Sequence, residues 1–484
     1  MADAETSMLA QAGRAPIPAT MQSGVRIMGE ARHLAYRDRN WAPQPNAEAT
    51  FRAWLQERVA RNAAASAFAG ALHAGTAIRL RDLVDHVTFT DPATRQTIAA
   101  AGWSEAEPGV WRNPDGMFPP FVAGEAEIVW LRVESVEGFV AAHAQGIAIE
   151  GEPLAPLRRA LAFPGDTAFG VLERNGSPAF LPLADDPAER RTARIILQKF
   201  RSRRRQFDSV EQGLAHTEAL VDSAIADLGS PHRACALWLL AEREYWQMRS
   251  HAARVQKARQ DALGVGWANI DHHTYDSSRA HYQHTIAILE KLGYELREML
   301  YAGDMAGWGS QVLEQPVIGS TIFADVDLAP HEVDCDFAHE PLPPLDKHRR
   351  AGILCALHGE SILEQGLNHV ACFYDQKTMR AQMAELGIRM MPPFSDMPHL
   401  YQELTFGDWA AVDPARVDAL ETAGHLPPEE AERIRTEGAI ITHLENIERN
   451  DGYKGFNKPG IDGVLQKLDP RRYGKLKEEQ AEAV

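Results

Sequence analysis

A short phrase occurs three times in this chain: an acidic or amide residue, then histidine, at the head of an apolar run. The three copies are LVDHVTF at 83–89, NIDHHTY at 269–275 and GLNHVACF at 366–373. Each precedes a helix-like stretch that ends in alanine or leucine followed by glycine, at 100–102, 291–293 and 385–387. A strand that points a histidine inward, followed by a helix and more strands, is the unit of paired βαβββ metal enzymes. Internal repetition is weighed first, because overlooking it misassigns the whole fold.

The composition describes a globular protein of more than one domain. The chain has 484 residues, 45% of them hydrophobic, and a formal net charge of −17, which argues against a nucleic-acid-binding surface. No stretch approaches the roughly 20 apolar residues that span a bilayer, and no secretory signal is evident. The four cysteines lack CxxC spacing, so they predict neither a thiolate zinc site nor a disulfide scaffold. These features predict a cytoplasmic protein without membrane or nucleic-acid partners.

The periodicity of apolar residues divides the chain into modules and predicts an α+β fold. In this reading, βαβββ modules form a curved mixed sheet around a metal site, with a helical insertion between them. Apolar runs at 352–362 and 438–446 are predicted as strands. The predicted segments are an N-terminal helical lead-in (1–75), a first metal-binding module (76–186), a helical insertion (187–263), a second metal-binding module (264–366), a third module that closes the site (367–465) and a charged tail (466–484).

Two imidazoles and one carboxylate on one face of a site suit a divalent metal with open positions, as in non-haem Fe(II) oxygen chemistry. The histidines of the repeated phrase supply the imidazoles, and alternation along a strand favours His272 over His273 as the inward residue. Two glutamates qualify for the carboxylate, Glu360 and Glu445, since each ends an apolar run. A glutamate in such a run is costly unless it is paired or bound to a metal.

At these residues the chain resembles the bacterial 2-oxoadipate dioxygenase/decarboxylases, also called hydroxyglutarate synthases. These are relatives of 4-hydroxyphenylpyruvate dioxygenase within the vicinal-oxygen-chelate fold. The resemblance covers roughly residues 80 to 450 and follows the order of parts. It includes NIDHHT at 269–274, VLEQ at 312–315, HGESILEQG at 358–366 and GAIITHL at 438–444.

The resemblance implies a metal triad of His86, His272 and Glu360. The stretch from 444 to 456 also resembles the ligand strand and following loop of hydroxyphenylpyruvate dioxygenase. This second likeness implies a rival triad of His272, His369 and Glu445.

The resemblance also bears on substrate binding. The oxoadipate family carries an arginine four residues after the first histidine, where it grips the substrate carboxylate; here that position is Thr90. Its absence changes the substrate or moves the clamp. Arg435 is the main candidate for the missing charge, and Arg79 and Arg81 are further ones.

The resulting hypothesis is an Fe(II)-dependent dioxygenase that decarboxylates a 2-oxo acid similar to 2-oxoadipate. Its cofactor would be Fe(II) and its partners the 2-oxo acid and dioxygen, and a homo-oligomer is compatible with the sequence. One alternative is another metalloenzyme on the same fold, such as a ring-cleaving dioxygenase, an isomerase or a lyase. The other is a non-catalytic protein that binds a small molecule.

Overall fold

The structure is a computed structural model that describes residues 39–143, 145–184, 186–303 and 306–482. The first 38 residues of the predicted lead-in lie outside the described residues. The rest of the lead-in forms helices α1 (Pro45–Arg61) and α2 (Ala63–Thr76). Asn62 separates the helices, and its side chain accepts a hydrogen bond from the backbone of Ala65, which caps α2.

Seven strands form the first sheet. Its elements are β1 (Val84–Phe89), α3 (Pro92–Ala100), β2 (Ser104–Glu107), β3 (Val110–Arg112), β4 (Phe121–Ala123), β5 (Ile128–Arg132), α4 (Val136–His143), β6 (Leu157–Phe163) and β7 (Ala168–Arg174). The strand order is β2-β3-β4-β1-β5-β7-β6. Strand β1 pairs in parallel with β4, β5 pairs in parallel with β7, and β1 and β5 are antiparallel. The sheet therefore contains two strand–helix–strands units side by side.

Four helices follow the first sheet: α5 (Pro187–Arg201), α6 (Val210–Leu228), α7 (Pro231–Arg249) and α8 (His251–Ala262). Each begins at a residue whose side chain accepts a backbone N–H of the first turn, namely Asp186, Ser209, Ser230 and Ser250. Such a cap contributes about 1 kcal/mol. Apolar side chains of the helices join the main core, which also includes residues of both sheets.

The second sheet has nine strands. Its elements are β8 (Ile270–Ser277), α9 (Tyr282–Lys291), β9 (Glu295–Ala302), β10 (Trp308–Gln315), β11 (Ser320–Asp327), α10 (Arg350–His358), β12 (His369–Phe373), α11 (Gln376–Glu385), β13 (Ser395–Met397), β14 (Leu400–Leu404), β15 (Asp408–Ala410), α12 (Pro414–Thr422), α13 (Pro428–Glu437) and β16 (Ala439–Arg449). Helices α14 (Lys458–Lys467) and α15 (Tyr473–Glu482) follow, and short one-turn helices occupy 80–83, 330–332, 361–365 and 470–472.

The strand order of the second sheet repeats the scheme of the first. The order is β13-β14-β16-β12-β8-β11-β10-β9, with β15 paired to β16. Strand β8 pairs in parallel with β11, β12 pairs in parallel with β16, and β8 and β12 are antiparallel. One side of the sheet is covered by α14, because Ile461 and Leu465 pack with Val312 and Phe323.

The α+β class built from βαβββ modules is confirmed. Two details differ from the expectation. The stretch 76–186 contains two units rather than one, and the run at 352–362 is mostly helix α10 instead of a strand. Almost every residue of α10 is buried, and a short, wholly buried apolar run has no periodicity that separates a helix from a strand. Among the described helices, none combines the length and apolarity needed to cross a membrane.

Candidate metal centre

Three side chains from adjacent strands converge on one point. They are His272 on β8, His369 on β12 and Glu445 on β16, and their ligand atoms lie within 4.8 Å of one another. The Oε2 atom of Glu445 lies 3.2 Å from Nε2 of His369 and 3.6 Å from Nε2 of His272. Sheet register explains the convergence, since Ala371 pairs with His272 on one side and with Glu445 on the other. Within the described part of the chain, this is the one group of three or more possible metal ligands.

A second layer of side chains orients the three groups. Asp271 accepts a 2.7 Å hydrogen bond from Nδ1 of His272, and Arg449 pairs with the same carboxylate at 2.8 Å. Asn368 accepts a 3.1 Å bond from Nδ1 of His369. Both histidines are therefore held with Nε2 facing the centre, and a metal-binding histidine characteristically donates its other ring N–H to such a partner. The residue before each histidine in the repeated phrase thus has a physical role.

Glu445 is held in the same way. Gln402 on β14 donates a 2.8 Å hydrogen bond to Oε1 of Glu445, so the other oxygen, Oε2, faces the histidines. Gln402 belongs to no recognisable motif, and its role was not predicted from the sequence.

The charges of the centre favour a bound cation. Burial alone would raise the pKa of Glu445, but the charge and hydrogen bond of His272 lower it to about 2. Burial lowers the pKa of His272, yet Glu445 and Asp271 together raise it to about 9. Burial also lowers the pKa of His369, which keeps that imidazole neutral. A proton on His272 thus balances the buried carboxylate, and a divalent cation would replace that proton.

Aromatic rings border the centre on another side. The ring of Phe323 lies 4.5 Å from that of His272, and Phe456 lies 4.8 Å from Phe323. Phe323 on β11 pairs with Thr274, two residues after His272, and Glu445 on β16 pairs with Ala371, two residues after His369. Phe323 therefore occupies, in the unit that begins with β8, the position that Glu445 occupies in the unit that begins with β12. Three protein ligands and an apolar fourth position leave open coordination sites for small molecules.

His86 and Glu360, two of the three residues in the first predicted triad, lie elsewhere. His86 belongs to the first sheet, with Nδ1 2.8 Å from Asp85 and its ring stacked on Trp130. Glu360 accepts hydrogen bonds from Ser277 and from the backbone of Ser278 at the far end of β8. Ser277 is five residues beyond His272, about 16 Å at 3.3 Å per residue. The structure therefore brings together the rival set and not the first one.

The predicted substrate residues are also remote from the three ligands. Arg435 lies on α13, where it pairs with Asp418 and Glu421 at the surface. Thr90 is exposed beyond the end of β1.

The first sheet carries an incomplete copy of this centre. Asp85 bonds His86 and pairs with Arg174 on β7, just as Asp271 bonds His272 and pairs with Arg449 on β16. Register places Ile128 where the second sheet has His369, and Gly170 where it has Glu445. The first sheet therefore has the supporting aspartate and arginine, Asp85 and Arg174. Two of its three ligand positions, Ile128 and Gly170, carry no atom that could bind a metal.

The Gly170→Ala variant is expected to lose about 1–3 kcal/mol of unfolding free energy. A Cβ atom at this position would lie 2.3 Å from the ring of Trp130, which fills the space where a ligand would sit. The measurement is urea unfolding. The matched control is Gly70→Ala in α2, where a Cβ meets nothing within 4 Å and a gain of about 0.5–1 kcal/mol is expected. Equal stability of Gly170→Ala and the wild type would contradict this account of the first sheet.

No protein-family model and no curated protein matches this sequence. Several solved structures are similar at low identity. A variant of 4-hydroxymandelate synthase from Streptomyces coelicolor is 12% identical, with 81% of this chain and 99% of that chain covered and a TM-score of 0.28. Hydroxyglutarate synthase from Oryza sativa, in complex with 2-oxoadipate, is 12% identical, with coverage of 49% and 92% and a TM-score of 0.31. Methylmalonyl-CoA epimerase from Mycobacterium tuberculosis is 14% identical, with coverage of 38% and 88% and a TM-score of 0.21.

Proposed function

We propose that this protein is a non-haem Fe(II)-dependent dioxygenase that decarboxylates a small 2-oxo acid. The observation that carries the proposal is the convergence of His272, His369 and Glu445. Their two imidazole nitrogens and one carboxylate oxygen lie within 4.8 Å of one another. Two histidines and one carboxylate with open positions are the donor set of non-haem Fe(II) oxygenases. The orientation of both Nε2 atoms by Asp271 and Asn368 supports the same assignment.

Bound Fe(II) would supply coordination positions for the 2-oxo carboxylate and for dioxygen. The chain's own residues prepare the site for that chemistry. Gln402 restrains one carboxylate oxygen of Glu445, which limits how the carboxylate turns. Phe323 and Phe456 exclude water beside His272, because their rings pack edge to face next to its imidazole. A dry, preorganised pocket is what the protein contributes to such a reaction.

A large cavity borders the second layer of the centre at Asp271 and Arg449, although none of the three ligands lines it. It has a volume of about 580 Å³, within the range of small-molecule sites, and it is lined by Asp271 and Thr321 close to His272. Its wall carries six cationic and five acidic residues, and three of the arginines are paired with acids of the same wall, Arg81 with Glu48, Arg132 with Asp85 and Arg449 with Asp271. The cationic residues are Arg81, Arg112, Arg132, Arg297, Arg449 and Lys454. These residues, rather than Arg435, are the candidates for holding a substrate carboxylate. We propose a 2-oxo acid similar to 2-oxoadipate as the substrate, in line with the family resemblance.

The test is anaerobic reconstitution followed by oxygen uptake. We expect about one Fe(II) per chain and consumption of dioxygen with a member of a 2-oxo acid panel that includes 2-oxoadipate. One substrate and one dioxygen should give one carbon dioxide and a hydroxy acid one carbon shorter. With ¹⁸O₂, both oxygen atoms should appear in that acid. The matched control is the same protein loaded with zinc, which should consume no oxygen. Iron binding without oxygen uptake for the whole panel would refute the proposed reaction and favour a binding protein or another metalloenzyme.

A further inference from the structure

A second cavity lies on the face of β8 opposite the metal centre. His273 lines it, and consecutive strand residues point to opposite faces, so His272 and His273 face different sites. The cavity has a volume of about 100 Å³ and lies where helix α7 meets both sheets. Its other basic lining residues are Arg132 and Arg174 from the first sheet and Arg243 from α7.

Arg243 makes no hydrogen bond and no ion pair with any of the described residues. Its Nε atom is buried and has no hydrogen-bond partner there. Burial lowers the pKa of Arg243, and Glu134 acts in the opposite direction. Glu134 is already engaged, however, because it pairs with Lys257 at 2.9 Å and accepts a bond from the backbone of Trp267. A guanidinium remains protonated at neutral pH, so the charge of this half-buried side chain is not paired within the described part of the chain.

The other acidic residues of the cavity wall are also engaged. Glu173 binds Arg158 and Asn175, and Asp271 binds Arg449 and His272.

The other two arginines add to the excess of positive charge. Arg132 and Arg174 share a single carboxylate, that of Asp85, at 3.0 and 2.7 Å. His273 is 1% exposed, and its two ring nitrogens have no hydrogen-bond partner within the described ranges. Arg174 also donates to the carbonyls of Ser177 and Ala179, so Arg243 carries the least engaged guanidinium of the cavity. His273 adds an imidazole that can donate a hydrogen bond.

We propose that this cavity is a binding site for a small oxyanion, a carboxylate or a phosphate, held by Arg243 with Arg132, Arg174 and His273. A volume of about 100 Å³ corresponds to about three water molecules, which is the size of acetate or inorganic phosphate. Water would solvate the guanidinium of Arg243 but would not neutralise it, whereas an oxyanion would pair with it. Planar guanidinium groups match oxyanions with paired hydrogen bonds. This proposal does not rest on the proposed function, since it concerns the other face of β8.

The test is anion binding to the full chain. Inorganic phosphate and acetate are titrated separately by calorimetry and by thermal unfolding, against sodium chloride at equal ionic strength. We expect one of the two anions to bind once per chain and to raise the melting temperature with concentration. Arg243→Gln should weaken that binding by about tenfold or more, whereas Arg194→Gln, which alters an exposed arginine on α5, should leave it unchanged. Fe(II) binding should remain at about one per chain in both variants.

Two further measurements keep the result interpretable. If Arg243→Gln does not fold, Arg243→Lys keeps the charge but removes the fork, and its anion affinity should still fall. A crystal grown with the anion that binds, selenate in place of phosphate or else acetate, should show its density within hydrogen-bonding distance of Arg243. Water alone at that position, or equal anion binding by wild type and Arg243 variants, would overturn the proposal.

Discussion

The His369→Ala variant is expected to lose stoichiometric Fe(II) binding, with an affinity at least about 100-fold below that of the wild type. The imidazole of His369 supplies one of three ligand atoms that lie within 4.8 Å of one another. Its removal leaves His272 and Glu445, which form a mutual ion pair and hold a proton instead of a metal. The measurement is anaerobic titration of the apoprotein with Fe(II) in competition with a chelator.

His86→Ala is the matched control, because His86 comes from another copy of the same phrase and is at least as buried as His369. It should bind about one Fe(II) per chain with unchanged affinity, since Ile128 and Gly170 supply no further ligand beside it. Thermal unfolding of both variants separates a lost ligand from a lost fold. Retained iron in His369→Ala together with lost iron in His86→Ala would restore the triad of His86, His272 and Glu360. Glu360→Gln, expected to keep its iron, is an additional control.

The second large effect is expected from Asp271, which belongs to the second layer of side chains around the three ligands. Asp271→Asn should weaken Fe(II) binding by about 10–100-fold. The carboxylate of Asp271 fixes the tautomer of His272 and increases its basicity, and an uncharged amide does this less well. The same titration measures the effect.

The internal repeat offers a close control, because Asp85→Asn breaks the same kind of contact in the first sheet. Each substitution removes an ion pair with a buried arginine, Arg449 or Arg174. Breaking such a pair costs about 3–5 kcal/mol, so both variants should lose similar stability. Only Asp271→Asn should lose metal affinity. Equal iron affinity in the two variants would show that Asp271 has no role in metal binding.

Much of the local structure was predictable from the sequence. The helices between 187 and 262 follow from apolar periodicity and from serine or aspartate caps. The repeated phrase also identified all three inward histidines as candidates. The choice between Glu360 and Glu445, however, depended on whether the run at 352–362 is a strand. It is mostly helix α10, and Glu360 lies beyond its end, near Ser277 rather than beside His272.

The number of strand–helix–strand units in the first sheet was harder to predict. The strand at 128–132 begins a second unit there, but it lacks an acid–histidine pair and has Ile128 at the ligand position. Without that marker, the sequence offers no local sign that a new unit begins. The retained pair of Asp85 and Arg174 becomes visible only when the strands are placed side by side.

By itself, the sequence determined the α+β class, the repeated strand–helix unit and the kind of ligand the centre offers. These properties depend on neighbours within one element, where periodicity, capping and alternation act directly. Only the tertiary structure decided which histidines converge on one point and which glutamate joins them. The ligands come from β8, β12 and β16, which are far apart in the chain, and strand pairing sets their register. That register depends on packing across the whole sheet, so it also decided that the first copy of the phrase lost its partners.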